Sequence, residues 1–224
     1  MDESSRFRNV FDPLRRFVPK TIAGEQCDLC SLRLKKDHRH LLQVSQRRIF
    51  CTCEACAVLF SDGSNTRFKR IPRRARRLET FQLSDIDWES LRIPIGLAFF
   101  FHKSNGSRQS ISEDAIATAA LPDDQASDTV VAFYPSPAGA TESLLDLSAW
   151  SDLVCENPAL NKMRADVEAL LVNRIAKKHD YYLAPIDECY RLVGLIRTNW
   201  RGLSGGQQVW NMIDQFFCEL ERRS

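Results

Sequence analysis

This 224-residue chain lacks any stretch long and apolar enough to span a bilayer. Its longest apolar run, IPIGLAFFF at Ile93–Phe101, is nine residues, against the roughly 20 that a spanning helix needs. The N-terminal MDESSRFRNVFDPLRRF has no apolar h-region, so no secretory signal is expected and the cytoplasm is the expected compartment. There is no G-x-x-x-x-G-K-[ST] phosphate loop, which excludes a P-loop ATPase. Histidine is scarce: four residues, at positions 38, 40, 102 and 179, from which no Ser/His/Asp or Cys/His set can be assembled. We therefore expect no enzyme and no catalytic residues. Hydrophobic residues at 44% and charged residues at 27% give a globular balance rather than a disordered one.

What the chain does have is cysteine, unevenly spread. Five of its eight cysteines crowd into CDLC at Cys27–Cys30 and CTCEAC at Cys51–Cys56. In a reducing compartment such clustering points to metal or redox chemistry rather than disulfides. Cys27/Cys30 and Cys53/Cys56 form two C-x-x-C pairs, the spacing from which structural zinc sites take their four thiolates. Between them, HRHLLQVSQ and RRIFCTC can form a β-hairpin that brings the pairs together, as in a zinc ribbon.

The fifth cysteine is then left over. On a strand, Ile49, Cys51 and Cys53 share a face, so Cys51 lies beside the metal. It reads as a small buried thiol, or as a replacement for Cys53. His38 and His40 are alternative ligands for a three-cysteine site, or plain solvated histidines. Iron could occupy the same four thiolates in a rubredoxin-like site. Ser31 and Ala57 stand where rubredoxin loops usually carry glycine, which favours zinc. A closed four-thiolate site offers no open position for substrate.

Charge divides the chain. Residues 1–80 carry a balance of +9 and the remainder −7. Residues 1–24 read as a basic tail, 25–60 as the zinc-ribbon module, and 61–80 as a basic arm or linker around RFKRIPRRARR (Arg67–Arg77), with the main domain over 81–224. Such an arm could bind nucleic acid through phosphate neutralisation. Its only aromatic residue is Phe68, which makes stacking readout poor, and an arm folded against the acidic back half is favoured instead.

In the main domain, SDIDWESL reads as a short helix with Ser84 as N-cap and Asp87 three residues on. IGLAFFFHK and TVVAFYPS read as buried strands, and residues 104–128 between them as a long flexible loop. A helix is expected from Ser148 to the stop at Pro158. ADVEALLVNRIA fits helix or strand, and YYLAP a short strand. Two C-terminal amphipathic helices are expected, one with Cys189, Tyr190, Val193, Ile196 and Trp200 on its apolar face. The other carries Val209, Trp210, Ile213, Phe216, Phe217 and Leu220 on its own. Cys155, Cys189 and Cys218 read as core residues.

LSGGQ at Leu203–Gln207 matches the signature motif of ATP-binding-cassette transporters. Without a phosphate loop it reads as a helix–helix turn with Ser204 or Gly205 as N-cap. Tyr134, Ser136, Thr141 and Glu142 could line a binding loop in AFYPSPAGATES, whose plainer reading is a stiff crossover.

The blocks CDLC…HRHLL…CTCEACAVLF, IPIGLAFFF, VVAFYPSPAGATESLL, DVEALLVNR and CYRLVGLIRTNWRGLSGG together resemble one uncharacterised bacterial family. Its members are encoded beside oxygen-tolerant NiFe-hydrogenase genes in soil bacteria. The resemblance implies an accessory or assembly role with a hydrogenase subunit or maturation factor as partner, and transfers no catalytic residues. The expected fold is α+β. A small zinc ribbon, a β-hairpin with two cysteine knuckles, joins a mixed antiparallel-sheet domain that ends in two helices. The expected function is a non-enzymatic zinc-binding accessory factor, with Cys27, Cys30, Cys53 and Cys56 as ligands. A nucleic-acid-binding regulator and a rubredoxin-like electron carrier are the alternatives.

Overall fold

Short strands around the cysteine pairs set up the first layer. Arg39–Gln43 (β1) and Arg48–Thr52 (β2) form the antiparallel hairpin, with His40 opposite Cys51 and Leu42 opposite Ile49. The computed structural model describes residues 24–61, 67–104, 129–202 and 204–224. The expected basic tail at 1–24 and loop at 104–128 lie, apart from Gly24 and Ser104, outside these residues. After β2 the chain turns at Cys53 into a seven-residue helix, Glu54–Phe60 (α1).

Within the stretch 61–80, expected as a basic arm or linker, the described residues 67–80 contribute two short strands. Phe68–Arg70 (β3) adds to β1, making a three-stranded sheet of order β2-β1-β3. Arg76–Arg77 (β4) pairs with a strand of the main domain. Ile71 and Ala75 between them are buried in the main core. Apolar residues within the basic stretch anchor it, while some of its charges find acids of the same chain. Arg73 pairs with Asp37, and Arg77 with Asp180 and Glu221.

The main sheet contains Leu97–Lys103 (β5), Thr129–Ser136 (β6), Gly139–Ser143 (β7), Glu168–Asn173 (β8) and Asp180–Pro185 (β9). Its order is β4-β9-β8-β5-β6-β7, with every pairing antiparallel. Both faces are covered. Phe99, Phe101, Leu171 and Tyr182 face the helices Ile186–Asn199 (α4) and Gly206–Arg222 (α5). Ala98, Phe100, Leu170 and Val172 face Trp150 and Leu153 of Leu147–Glu156 (α3). Asp85–Ser90 (α2) lies near α3, capped by the reciprocal Ser84–Asp87 bonds.

Two-sided burial explains why the central strands read as unbroken apolar runs. It also decides ADVEALLVNRIA: all six residues of β8 are buried between β5 and β9, so no single-face period survives in the sequence. AFYPSPAGATES is a hairpin, with Pro137 and Ala138 turning β6 into β7. Of the three scattered cysteines only Cys189 is buried; Cys155 and Cys218 are exposed, against their reading as core residues.

Gly205 is the N-cap of α5 at φ 83°. A Cβ there would lie 2.8 Å from Val209 Cγ1 and 3.0 Å from the Trp200 ring. Glycine at this point of LSGGQ thus has a packing cause, a tight turn between two helices.

The two sheets meet along a polar and apolar seam. Leu42 and Ile71 enter the main core, and Arg47 lies 4.8 Å over the Phe101 ring. The buried Asp166 carboxylate, 1% exposed, accepts from Lys69 Nζ at 2.8 Å and from the Ser104 amide at 3.1 Å.

Candidate metal centre

The first cysteine pair sits in a tight knuckle. Cys27 N donates to Leu32 O and Ser31 N to Cys27 O, each at 2.8 Å. Asp28 ties the knuckle to β2, its amide donating to Cys51 O at 2.8 Å and its carboxylate accepting from Cys51 N at 2.6 Å. Ser31 adopts φ 61°, the left-handed conformation that glycine fills most easily. Serine here performs glycine's backbone task, so at this knuckle the missing glycine does not discriminate zinc from iron.

The second pair departs from the expected pattern of two knuckles. Cys53 is the N-cap of α1, and Cys56 lies in the first helical turn. The Cys56 amide donates to the Cys53 sulfur at 3.4 Å, the bond that a serine N-cap would accept through oxygen. A helix thus delivers the second pair, because ACAVLF after Glu54 continues helically from the cap. A bidentate Arg39–Glu54 pair, at 2.8 and 2.9 Å, fixes that helix to β1.

The hairpin between the pairs brings the four sulfurs together. Sγ atoms of Cys27, Cys30, Cys53 and Cys56 all lie within 4.8 Å of one another. Cys30 and Cys53 sulfurs are 3.7 Å apart. A tetrahedral ion with bonds of about 2.3 Å to sulfur sets edges of about 3.8 Å, so the cluster could hold a metal ion. Three of the cysteines are buried and Cys30 is exposed. Leu29, Leu34 and Phe60 pack around them.

The electrostatics of the metal-free cluster are unequal. Burial raises the Cys27 thiol, but amides of Cys53, Leu29 and Cys30 outweigh it and bring it down to about 6. Burial and the neighbouring sulfurs push Cys56 up. Four thiolates in one place repel, and a divalent cation is what allows all of them to ionise together.

Cys51 stays outside the four. Burial and the Asp28 carboxylate raise its thiol. It groups instead with His38 and His40, and His40 Nδ1 lies 2.6 Å from Asp187 Oδ2 at the start of α4. The Asp187 hydrogen bond raises the His40 pKa against the effect of burial. Sequence reasoning found both histidines but not this company. The alternation of HRH was visible; the partner 147 residues away was not.

Two segments of the chain, residues 26–114 and 113–224, match the family described as Family of unknown function (DUF5947). The chain belongs to this family. No curated protein and no solved structure matches it. Among the described residues, no helix is long and apolar enough to cross a membrane.

Proposed function

We propose that the four thiolates hold one zinc ion with a structural task, and that the protein is a non-enzymatic accessory or assembly factor acting on a protein partner. The observation that carries this reading is the four-sulfur cluster itself, with a Cys30–Cys53 separation of 3.7 Å. Once four thiolates fill a tetrahedral ion, no position remains for a substrate, which supports a holding role. The partner class, a NiFe-hydrogenase subunit or maturation factor, rests on the resemblance of the sequence blocks. Intramolecular pairing of Arg73 and Arg77 argues against the nucleic-acid regulator, because those charges already have acids of their own chain.

Elemental analysis and a visible spectrum of protein purified without added metal test the metal. Zinc without colour, one equivalent of it lost in Cys30→Ser and in Cys56→Ser, is the expected result. Iron with thiolate charge-transfer bands would move the assignment to the electron carrier. Full zinc in the Cys56 variant would remove the site. Deletion of the gene in a host that carries the hydrogenase tests the partner, since unchanged hydrogenase maturation would end that part of the reading.

A further inference from the structure

The hairpin register that gathers the cysteines also gathers a second set of donors on β1, β2 and the residue just before β1. The rings of His38 and His40 lie 4.7 Å apart, centroid to centroid, and His40 stands directly opposite Cys51. One ring nitrogen from each histidine and the Cys51 sulfur lie within 4.8 Å of one another.

Hydrogen bonding fixes how the two rings present themselves. His38 Nδ1 lies 3.0 Å from the Lys35 carbonyl oxygen, which can only accept. His40 Nδ1 lies 2.6 Å from the Asp187 carboxylate. Both Nδ1 atoms therefore carry hydrogen, which leaves both Nε2 atoms as acceptors when the rings are neutral. Those two Nε2 atoms face each other across 3.1 Å. Two lone pairs at that distance repel unless a cation lies between them, either a shared proton or a metal.

A shared proton needs only two nitrogens and gives no reason for a third soft donor at the same point. We infer that His38, His40 and Cys51 form a second metal site, separate from the four-thiolate cluster, for a borderline divalent cation with Zn2+ foremost. Imidazole and thiolate together suit that class of ion. Bonds of about 2.0–2.1 Å to nitrogen put tetrahedral nitrogen–nitrogen edges at about 3.3 Å, close to the spacing present. Asp187 accepts from the far side of the His40 ring, the outer-shell carboxylate that orients a ligating histidine.

Three protein donors leave the fourth position open. His38, His40 and Asp187 also line a cleft of about 730 Å³ between the small sheet and α4, which gives water or another ligand a way in. The ion would sit at the seam of the two sheets, with His40 on one side and Asp187 on the other.

Metal counting on the full chain decides this. Protein loaded with excess Zn2+ and desalted is expected to retain two equivalents, falling to one in His38→Ala and in Cys51→Ser. With Co2+, the equivalent that these variants lose should contribute far less thiolate charge-transfer absorption than the one they keep, having one sulfur instead of four. Far-UV circular dichroism and melting of parent and variants, each carrying one equivalent of zinc, establish that the variants fold like the parent. One equivalent in the parent, or a second equivalent that survives in both variants, overturns the inference. Cys56→Ser keeps the readings apart, because it should abolish the four-thiolate spectrum whatever happens at His38.

Discussion

β1 of the small sheet buries Leu41 and Leu42, and beside it the cluster of Cys27, Cys53 and Cys56 has, among the described residues, three partly buried hydrophobics packed against it, Leu29, Leu34 and Phe60. β5 of the large sheet buries five consecutive residues, Leu97 to Phe101, under helices on both faces. The two sheets share antiparallel pairing and differ in what stabilises them. Burying each large side chain contributes about 1.5–3 kcal/mol, and the large sheet has many such side chains. The small sheet has four clustered thiols in place of that term, which on the proposed reading a zinc ion holds together. An apolar core tolerates loss by degrees, whereas a metal-held core is present or absent.

Removing the metal should therefore produce the largest effect and a local one. Structural zinc contributes on the order of 10 kcal/mol to small modules. Chelation, or Cys56→Ser, is expected to release amide protection across Cys27–Phe60 while β5, β8 and β9 stay protected. Hydrogen exchange read by mass spectrometry checks this. Simultaneous loss of protection in both sheets would show that they form one cooperative unit and erase the contrast.

Phe100→Ala probes the opposite case. Phe100 is fully buried, stacked 5.4 Å from Trp150 and edge-on to Trp88 at 6.4 Å. A cavity of that size costs about 3–5 kcal/mol, to be read from the denaturant midpoint of the large sheet. Zinc content should not change. A variant that loses zinc in step with stability would mean that the small sheet depends on the large one.

How much of this could be read from the sequence follows from the distance between partners. The Ser84–Asp87 capping box, the C-x-x-C pairs and the stripes of α4 and α5 are local, and local spacing exposes them. The helical setting of Cys53 was readable in principle from the apolar run after Glu54, but the hairpin expectation carried on past it. Cys155 and Cys218 look like core by composition and are exposed, because their helices turn other residues inward. The contacts that join the two sheets, Lys69 to Asp166 and His40 to Asp187, span 97 and 147 residues. No periodicity records them.

Asp166 tests that seam at an intermediate magnitude. Its side chain is 1% exposed, while Lys69 and Arg47 remain about a third exposed. Removing the acid leaves cations that water can still reach, so the cost falls below the 3–5 kcal/mol of a fully buried pair, to about 2 kcal/mol for Asp166→Ala. Asn in the same position tolerates the left-handed backbone, φ 69°, and keeps an acceptor for the Ser104 amide, so Asp166→Asn should cost less. Equal melting temperatures for the parent and both variants would show that the carboxylate contributes nothing across the seam.

Cys51→Ser should have the smallest effect on stability and the sharpest one on the comparison. Cys51 is half-buried on β2, and its backbone, not its sulfur, makes the bonds to Asp28. Exchanging sulfur for oxygen there leaves the ladder and the knuckle intact, and in protein carrying zinc at the four-thiolate cluster alone the change should stay within about 0.5 kcal/mol. The four-thiolate cluster keeps all of its donors, so its zinc should be retained in full. In protein loaded with excess zinc the same variant should lower the melting temperature by removing the second ion, whose donors and outer-shell acid lie on both sides of the seam. A thermal shift that appears only with the second equivalent of zinc thus separates a thiol that binds metal from one that merely fills space. Loss of the four-thiolate zinc in Cys51→Ser would instead mean that the fifth cysteine belongs to the first cluster and that Cys53 does not.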